Sequence, residues 1–352
     1  MEGILTASVT PAELHAGALS QEKLEAVVRR FATDGVVVLL EVLPHAVLDN
    51  IATALDHAAA HYVASDKGYE RGPQGGFPRD PDRPGLQICA GIPRQFPWVV
   101  PELVSNGVIE QVVQAVLGGD VFMRYFNCNS SCPGSGMQMV HADQQWDWCS
   151  RDEAKAAGEE WPHRTTRVFV NFGVDAMTPA NGSTQLWPGT HAVEECATIN
   201  VRYHEAEPGS ARDSWDPRSR SFGQDPAVTA LVDRQRQARP PVRLMVPKGA
   251  VAIRDNRCWH AGCPNTSPWP RHMFGLGYST TRAAEGRDFF SGDQNGKPTL
   301  VFADDCKAAF RSEISQRTVS FAPPGVPVDH YGNLPGGCRH LHSYLMFAPS
   351  SF

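Results

Sequence analysis

The sequence predicts a mainly β protein with flanking helices, in which a double-stranded β-helix (jelly-roll, cupin-like) core follows an N-terminal helical buttress. Helical periodicity dominates the first 118 residues. From Asp120 the chain changes to short apolar runs rich in β-branched and aromatic residues, with turn residues between them. A series of short strands separated by turns is typical of a sandwich or a barrel.

The N-terminal elements follow from side-chain periodicity and capping residues. Residues 21–31 place their apolar side chains on one helical face, and Ser20 is a suitable N-cap. The β-branched run Val36–Leu40 predicts a short buried strand. The Ala-rich run 46–63 and the stretch Gly107–Leu117 predict two further helices.

The predicted core consists of short strands that carry β-branched or aromatic residues and end at turn residues. They cover residues 121–126, 137–141, 166–174, 182–188, 242–246, 250–253 and 273–278.

We interpret the 352 residues as a single domain, because neither a linker nor an internal repeat separates its parts. Its parts are a helical segment 1–118 with a Gly- and Pro-rich loop or lid at 65–98, a core 119–280 with a charged insert 203–240, and a C-terminal segment 281–352. Disorder is the alternative for 65–98. For 203–240, a solvated insert is favoured over a lid or a dimer contact. Helices are expected at 226–237 and 304–314.

Bulk composition excludes several classes of protein. A formal net charge of −6 argues against a general nucleic-acid surface, and no apolar run is long enough to cross a membrane. Nine cysteines without a Cys-x-x-Cys pair predict reduced thiols. We therefore expect a cytoplasmic protein that acts on a small molecule, with a homodimer left open.

His141 and Asp143 form the first half of a candidate metal site. Two residues apart on a strand, they share one face, so at a strand end both can converge on one ion. An imidazole and a carboxylate are two of the three ligands in the 2-His-1-carboxylate triad that holds non-haem Fe(II). Because the chain has 13 histidines, this pair alone is weak evidence.

His260 and Arg271 complete the pattern. His260 follows a predicted strand and a polar corner, and Arg271 opens another strand eleven residues later. Arginine binds a carboxylate through two parallel hydrogen bonds. An iron triad beside a buried arginine therefore suits a keto-dicarboxylate, which chelates the metal at one end and meets Arg271 at the other. Taken singly, each of these residues also has an ordinary structural explanation.

With these residues the sequence resembles the phytanoyl-CoA dioxygenase (PhyH) family of Fe(II)/2-oxoglutarate oxygenases, and in character its fungal natural-product members. The segment Asn-Gly-Ser-Thr-Gln-Leu-Trp-Pro-Gly-Thr-His at 181–191 is the most specific shared motif, and Asp34-Gly35 matches as well. The resemblance implies Fe(II) as cofactor, with 2-oxoglutarate and O2 as co-substrates. It also implies that Gln138 and Thr184 contact the keto acid.

Two alternatives concern the site itself. His191 is a rival for the distal ligand, but it follows Pro-Gly-Thr, where a histidine more commonly fixes a turn. A small residue in place of Asp143 would indicate a related halogenase, so the carboxylate at this position argues against halogenation.

The predicted function is a dioxygenase that oxidises a small molecule, by hydroxylation as the default and by desaturation or oxidative cyclisation as alternatives, in secondary-metabolite biosynthesis. The competing hypothesis is a cupin-like metal-binding protein, or an iron oxygenase that does not use 2-oxoglutarate.

Overall fold

A computed structural model describes residues 3–64, 87–88, 94–96, 98–135, 140–144, 146–197, 226–280, 300–317, 319–326 and 328. Within these ranges the α-helices are α1 (Pro11–Ala16), α2 (Gln21–Asp34), α3 (His45–Ala64), α4 (Pro101–Val104), α5 (Gly107–Leu117), α6 (Arg151–Ala156), α7 (Pro226–Ala238) and α8 (Glu313–Gln316). The strands are β1 (Thr6–Ser8), β2 (Val36–Leu40), β3 (Gln87–Ile88), β4 (Val121–Ser131), β5 (Arg167–Gly173), β6 (Gln185–Leu186), β7 (Val242–Arg243), β8 (Val251–Asp255), β9 (His260–Ala261), β10 (Arg271–Thr280), β11 (Leu300–Phe302) and β12 (Val319–Phe321).

The main sheet has seven strands in the order β1-β2-β8-β5-β10-β4-β3. Its strands pair antiparallel, except that β1 runs parallel to β2. A smaller sheet has the order β7-β6-β9, and β11 pairs with β12 in a third. The predicted mainly β chain with flanking helices is therefore confirmed, whereas closure into a double-stranded β-helix stays a prediction.

The two faces of the main sheet differ in chemistry. On β5, Val168, Val170 and Phe172 are fully buried in a large apolar core that they share with α2, α3 and α5. Phe172 stacks on Phe274 of β10 at a centroid distance of 5.0 Å. Because side chains alternate along a strand, Arg167 and Phe169 face the opposite side. That second side contains the polar groups described below.

Helix α2 confirms the predicted N-terminal helix and extends it to Asp34. The Ser20 side chain accepts a hydrogen bond from the Lys23 amide at the first turn, and Gly35 ends the helix at φ 71°. A side chain at Gly35 would collide with Cys258 Sγ and would place its Cβ 2.6 Å from His191 Nδ1. The end of α2 therefore packs directly against the chain that leads to His260.

Other predicted elements match, some of them with shifted ends. The helices at 46–63 and 226–237 correspond to α3 and α7, and the helix Gly107–Leu117 and the strand Val36–Leu40 have the predicted bounds. The strand predicted at 182–188 is reduced to β6. Of the strand predicted at 137–141, only residues 140 and 141 lie within the described ranges.

The helix predicted at 304–314 is wrong. The structure has a 3-10 helix at Asp304–Ala309, extended backbone at Phe310, and then α8. The interruption has a local cause, because Ser312 forms a capping box with Ser315 and so begins a new helix.

The two candidate lids lie largely outside the described residues. From 65–98 the structure includes β3, which pairs with the end of β4. From 203–240 it includes α7 and the two residues after it. The lid prediction, like the subdivision into one domain with an insert, therefore stays a prediction.

Two bulk expectations can be compared with the described residues. All seven cysteines within them are free thiols, as predicted. None of the helices described here combines the length and the apolar character needed to span a bilayer.

Candidate metal centre

The backbone brings the three predicted ligands together. His141 and His260 form an antiparallel bridge, in which the His141 amide donates to the His260 carbonyl at 3.0 Å and the His260 amide donates back at 2.9 Å. The Asp143 amide donates to the Asn256 carbonyl at 2.8 Å. The segment with His141 and Asp143 is therefore attached to the chain just before and at β9.

The side chains of His141, Asp143 and His260 converge on one point. Nε2 of His141 lies 3.7 Å from Asp143 Oδ1, and Nε2 of His260 lies 3.4 Å from Asp143 Oδ2. The two imidazole centroids are 4.2 Å apart. One ligand atom from each residue lies within 4.8 Å of the other two, and this is the one such group of three or more in the described parts of the chain. Two imidazoles and one carboxylate at this spacing fit a divalent transition metal.

His260 is in a form that can bind a metal. Its Nδ1 lies 3.1 Å from the Cys258 carbonyl and 3.2 Å from Arg254 NH1. When Nδ1–H donates to Cys258, the Nε2 lone pair is free and directed towards Asp143. Burial, and then the positive charge of Arg254, hold the pKa of His260 well below its ordinary value. The imidazole is therefore neutral at pH 7, as a metal ligand must be.

Asp143 is held by a buried arginine. Arg254 NH2 donates to Asp143 Oδ2, and the guanidinium lies over the Phe169 ring at 5.7 Å from its centroid. Burial alone would raise the pKa of Asp143. The charges of His260, Arg254 and His141 outweigh that effect and lower the pKa below its ordinary value. The carboxylate is therefore ionised and oriented before any metal binds.

A cavity opens beside Asp143 at the end of the main sheet. Its walls include two arginines, Arg124 of β4 and Arg167 of β5. Two aromatic residues, Tyr125 and Phe169, line it as well, and they meet edge to face at a centroid distance of 5.1 Å. The metal ligands therefore border a space with both charged and aromatic walls.

Arg271 lies where the sequence places it, at the start of β10. It is buried, pairs in register with Ser131, and directs NH1 towards Met273 Sδ at 3.7 Å. Alternation along β10 puts Arg271 on the same face as Gly275 and Gly277, which is the face of the cavity. Arg271 therefore lies on the same face of the sheet as the cavity.

The remaining predicted residues divide into three cases. Thr184 is buried immediately before β6, and Leu186 of this strand pairs with His260. Gln138 lies outside the described residues. His191 is not part of the triad, since its Nε2 lies 3.1 Å from the Ala32 carbonyl and its Nδ1 lies 3.6 Å from Cys258 Sγ. These contacts agree with a structural role for His191.

Sequence reasoning missed Arg124, Arg167 and Arg254. Arg124 and Arg167 lie within predicted strands and Arg254 directly follows one, and each is next to a residue that is fully buried. A charged residue inside an apolar strand is a usable signal, because burial of an isolated charge costs several kcal/mol or more. The signal indicates a partner or a ligand, but it does not show where in the fold that partner lies.

Two histidines and one carboxylate at the edge of a β-sheet are the ligand set of the non-haem iron(II) enzymes. The model of the phytanoyl-CoA dioxygenase (PhyH) family matches residues 31–273, which include the triad and Arg271. The chain belongs to the phytanoyl-CoA dioxygenase family. It is accordingly an enzyme of the non-haem iron, 2-oxoglutarate-dependent class.

Solved structures with a similar chain path include AviO1 from Streptomyces viridochromogenes Tue57, with 19% identity, a TM-score of 0.49, and coverage of 74% of this chain and 96% of that one. EvdMO1 has 17% identity and a TM-score of 0.47, and the match covers 73% of this chain and half of EvdMO1 (50%). The carbocyclase SnoK from nogalamycin biosynthesis has 17% identity and a TM-score of 0.43, with coverage of 74% and 84%.

Proposed function

We propose that this chain is an Fe(II)/2-oxoglutarate-dependent dioxygenase that oxidises a small organic molecule, with His141, Asp143 and His260 as the iron ligands. The observation that carries the proposal is the convergence of three ligand atoms within 4.8 Å of one another. A triad of this type leaves coordination positions open for a keto acid and for O2.

When bound, Fe(II) with 2-oxoglutarate and O2 supplies an oxidant strong enough to attack a C–H bond, as the keto acid loses CO2 and becomes succinate. The chain's own residues prepare the site for this chemistry. Arg254 fixes the Asp143 carboxylate, and the Cys258 carbonyl fixes the tautomer of His260. Burial of His260 and Arg254 limits water around the ligands.

For 2-oxoglutarate, we propose that Arg271 binds the distal carboxylate and that Gln138 and Thr184 contact the keto acid. The burial of Arg271 and its place on the cavity face of β10 support this assignment. A guanidinium provides the two parallel donors that a carboxylate accepts.

We further propose that the main sheet and the β7-β6-β9 sheet form the two halves of a double-stranded β-helix around the metal. The bridge between His141 and His260 supports this arrangement, because it joins the ligand segment to β9. Hydroxylation is the default outcome, with desaturation and oxidative cyclisation as alternatives. A role in secondary metabolism rests on the resemblance to the natural-product members of the family.

The test is the visible charge-transfer band of a chelated keto acid. Fe(II) and 2-oxoglutarate are added anaerobically to the wild-type chain and to His260→Ala. We expect a weak band for the wild type and none for the variant, because two ligands hold iron poorly.

His45→Ala is the matched control, since His45 is exposed and its ring contacts the Lys248 carbonyl. A band in His260→Ala equal to that of the wild type would contradict the triad. Iron binding without a band on addition of 2-oxoglutarate would favour an oxygenase or a cupin-like protein that does not use the keto acid.

A further inference from the structure

We propose that the buried ion pair of Asp255 and Arg257 positions the metal centre, because it sets the shape of the corner that holds two of the three ligands. The inference rests on the proposed function, which makes His141, Asp143 and His260 the iron ligands. It adds two positioning residues that lie outside the triad.

Residues 256–258 form the corner of the chain that leaves β8 on the way to His260. Two backbone carbonyls of this corner contact the ligand residues. The Asn256 carbonyl accepts from the Asp143 amide at 2.8 Å. The Cys258 carbonyl lies 3.1 Å from Nδ1 of His260. A displacement of the corner would therefore move two of the three ligands at once.

The Asp255 carboxylate determines how the corner is folded. Its Oδ1 accepts from the Arg257 amide at 2.9 Å and from Arg257 Nε at 3.0 Å, and its Oδ2 accepts from Arg257 NH2 at 2.8 Å. The Arg257 amide and the Asn256 carbonyl belong to one planar peptide group. A hydrogen bond to the amide on one side therefore directs the carbonyl to the opposite side, where the Asp143 amide lies.

Arg257 attaches the same corner to a second part of the chain. Its NH1 donates to the His163 carbonyl at 3.0 Å. His163 lies shortly before β5, which is the middle strand of the main sheet. The planar guanidinium binds the carboxylate along one edge and the carbonyl through its remaining nitrogen. A lysine ammonium group cannot reproduce this arrangement.

The energetics of the pair indicate that its role is geometric. Asp255 and Arg257 are each 1% exposed. Burial alone would raise the pKa of Asp255, but the charge of Arg257 outweighs this effect and the pKa lies below its ordinary value. Desolvation of two charges opposes folding, and apolar side chains of similar volume often stabilise a protein equally well. Apolar side chains could not, however, accept from the amide of residue 257 or donate to the His163 carbonyl.

The test measures metal affinity and stability separately on the full chain. Zn(II) affinity is obtained by competition with a chelator, and the free energy of unfolding by chemical denaturation without metal. The visible spectrum of the Co(II)-loaded chain reports the ligand geometry. The main variant is Asp255→Val/Arg257→Met, which removes both charges together and leaves no isolated charge buried.

We expect Asp255→Val/Arg257→Met to bind Zn(II) roughly 10- to 100-fold more weakly than the wild type. Its Co(II) spectrum should change, while its unfolding free energy should stay close to that of the wild type. Asp255→Asn/Arg257→Met keeps an oxygen that can accept from the amide of residue 257. It should therefore recover part of the lost affinity, which a role in packing or charge alone would not explain.

Ile253→Ala is the matched control, because Ile253 is fully buried on the apolar face of the same strand. It should lower the unfolding free energy clearly and leave Zn(II) affinity within about twofold of the wild type. Arg257→Lys covers the case in which the main variant does not fold. It keeps the charge beside Asp255 but loses the full anchor, so a loss of roughly three- to tenfold is expected.

Wild-type Zn(II) affinity and an unchanged Co(II) spectrum in the folded main variant would overturn the proposal, as would wild-type affinity in Arg257→Lys if the main variant does not fold. An equal loss of affinity in Ile253→Ala would also overturn it, since any loss of stability would then weaken the metal. Failure of the proposed function has a different signature. The variants would lose Zn(II) in the expected order, yet Fe(II) and 2-oxoglutarate would give no charge-transfer band with the wild type.

Discussion

The two faces of strands β5 and β10 are made by the same stretches of chain, yet they differ in almost every property. Towards the helices, Val168, Phe172 and Phe274 are fully buried among apolar side chains. Towards the metal centre, Arg167 and Phe169 are only partly buried and line a cavity. The alternation of a β-strand separates these groups at every residue.

The difference shows where stability and chemistry are located. The apolar face gains free energy from burial, while the other face holds three arginines and a carboxylate, whose desolvation opposes folding. A charged interior of this kind persists because the opposite face of the same strands is well packed. Substitutions on the two faces should therefore separate thermodynamic stability from ligand binding, and we order the expected effects by size.

The largest expected effect is on the apolar face. Phe172→Ala removes a ring that stacks on Phe274 and has no exposed surface, and should lower the free energy of unfolding by about 3–5 kcal/mol. Chemical denaturation measures this loss. Phe169→Ala on the same strand is the matched comparison and should cost clearly less, because this ring borders the cavity. Equal losses would mean that the two faces contribute equally to the free energy of unfolding.

On the cavity face, Arg271→Ala should weaken binding of 2-oxoglutarate without unfolding the chain. Truncation of one partner of a buried charge pair costs about 2–5 kcal/mol, which corresponds to roughly 30-fold to several thousand-fold in affinity. Arg271→Lys should recover part of the loss, because an ammonium group cannot form two parallel hydrogen bonds. Titration of the keto acid with iron content measured in parallel provides the test. Wild-type affinity in both variants would place the keto acid elsewhere.

Arg254→Gln should affect the metal itself. It removes the donor that orients Asp143, and losses of roughly 10- to 100-fold in metal affinity are usual for such supporting residues. Competition with a metal chelator measures the change. Arg254→Lys keeps the charge, so its metal affinity should lie between that of Arg254→Gln and that of the wild type. If both variants bind Fe(II) as well as the wild type, Asp143 needs no support from Arg254.

The smallest expected effect concerns a charge on the apolar side. Burial raises the pKa of Glu110 from 4.5 to about 7, and a hydrogen bond from Ser312 partly offsets the increase. Between those two values the folded chain holds a proton that the unfolded chain has released. Stability should therefore fall as the pH rises through this window and should level off above it.

Glu110→Gln should remove this slope, with a gain on the order of 1 kcal/mol at pH 8 once partial solvation is allowed for. Denaturation curves recorded between pH 5 and pH 8 would show it. A slope of equal size in both proteins would assign the pH dependence to other groups.

Local elements of the fold were predictable from sequence because their causes are local. Gly107–Leu117 has an Asn cap and one apolar face, and Val36–Leu40 is an uninterrupted β-branched run. Strand β1 was missed, since three residues acquire their conformation only by pairing with β2. The break before α8 was missed because a single hydroxyl, Ser312, decides it.

The candidate site also combines residues that a local pattern predicts with residues that only the fold brings together. His141 and Asp143 are two residues apart, so their common face can be deduced from the period of a strand. Arg124 and Arg167 line one cavity, and Arg254 reaches Asp143 beside it, only through the register of four strands, including a bulge that no local pattern predicts. Their convergence is a property of the fold.

The close packing at Gly35 has an evolutionary consequence. This residue contacts no metal and lies far from the ligands in sequence, yet a methyl group there would displace Cys258 and His191. Cys258 supplies the carbonyl that sets the tautomer of His260. Any replacement also has to adopt a left-handed backbone conformation, which side chains other than glycine rarely do. Aligned relatives should therefore conserve glycine at this position about as strictly as the iron ligands. The variant Gly35→Ala should show the loss of metal binding that is expected when an iron ligand is replaced.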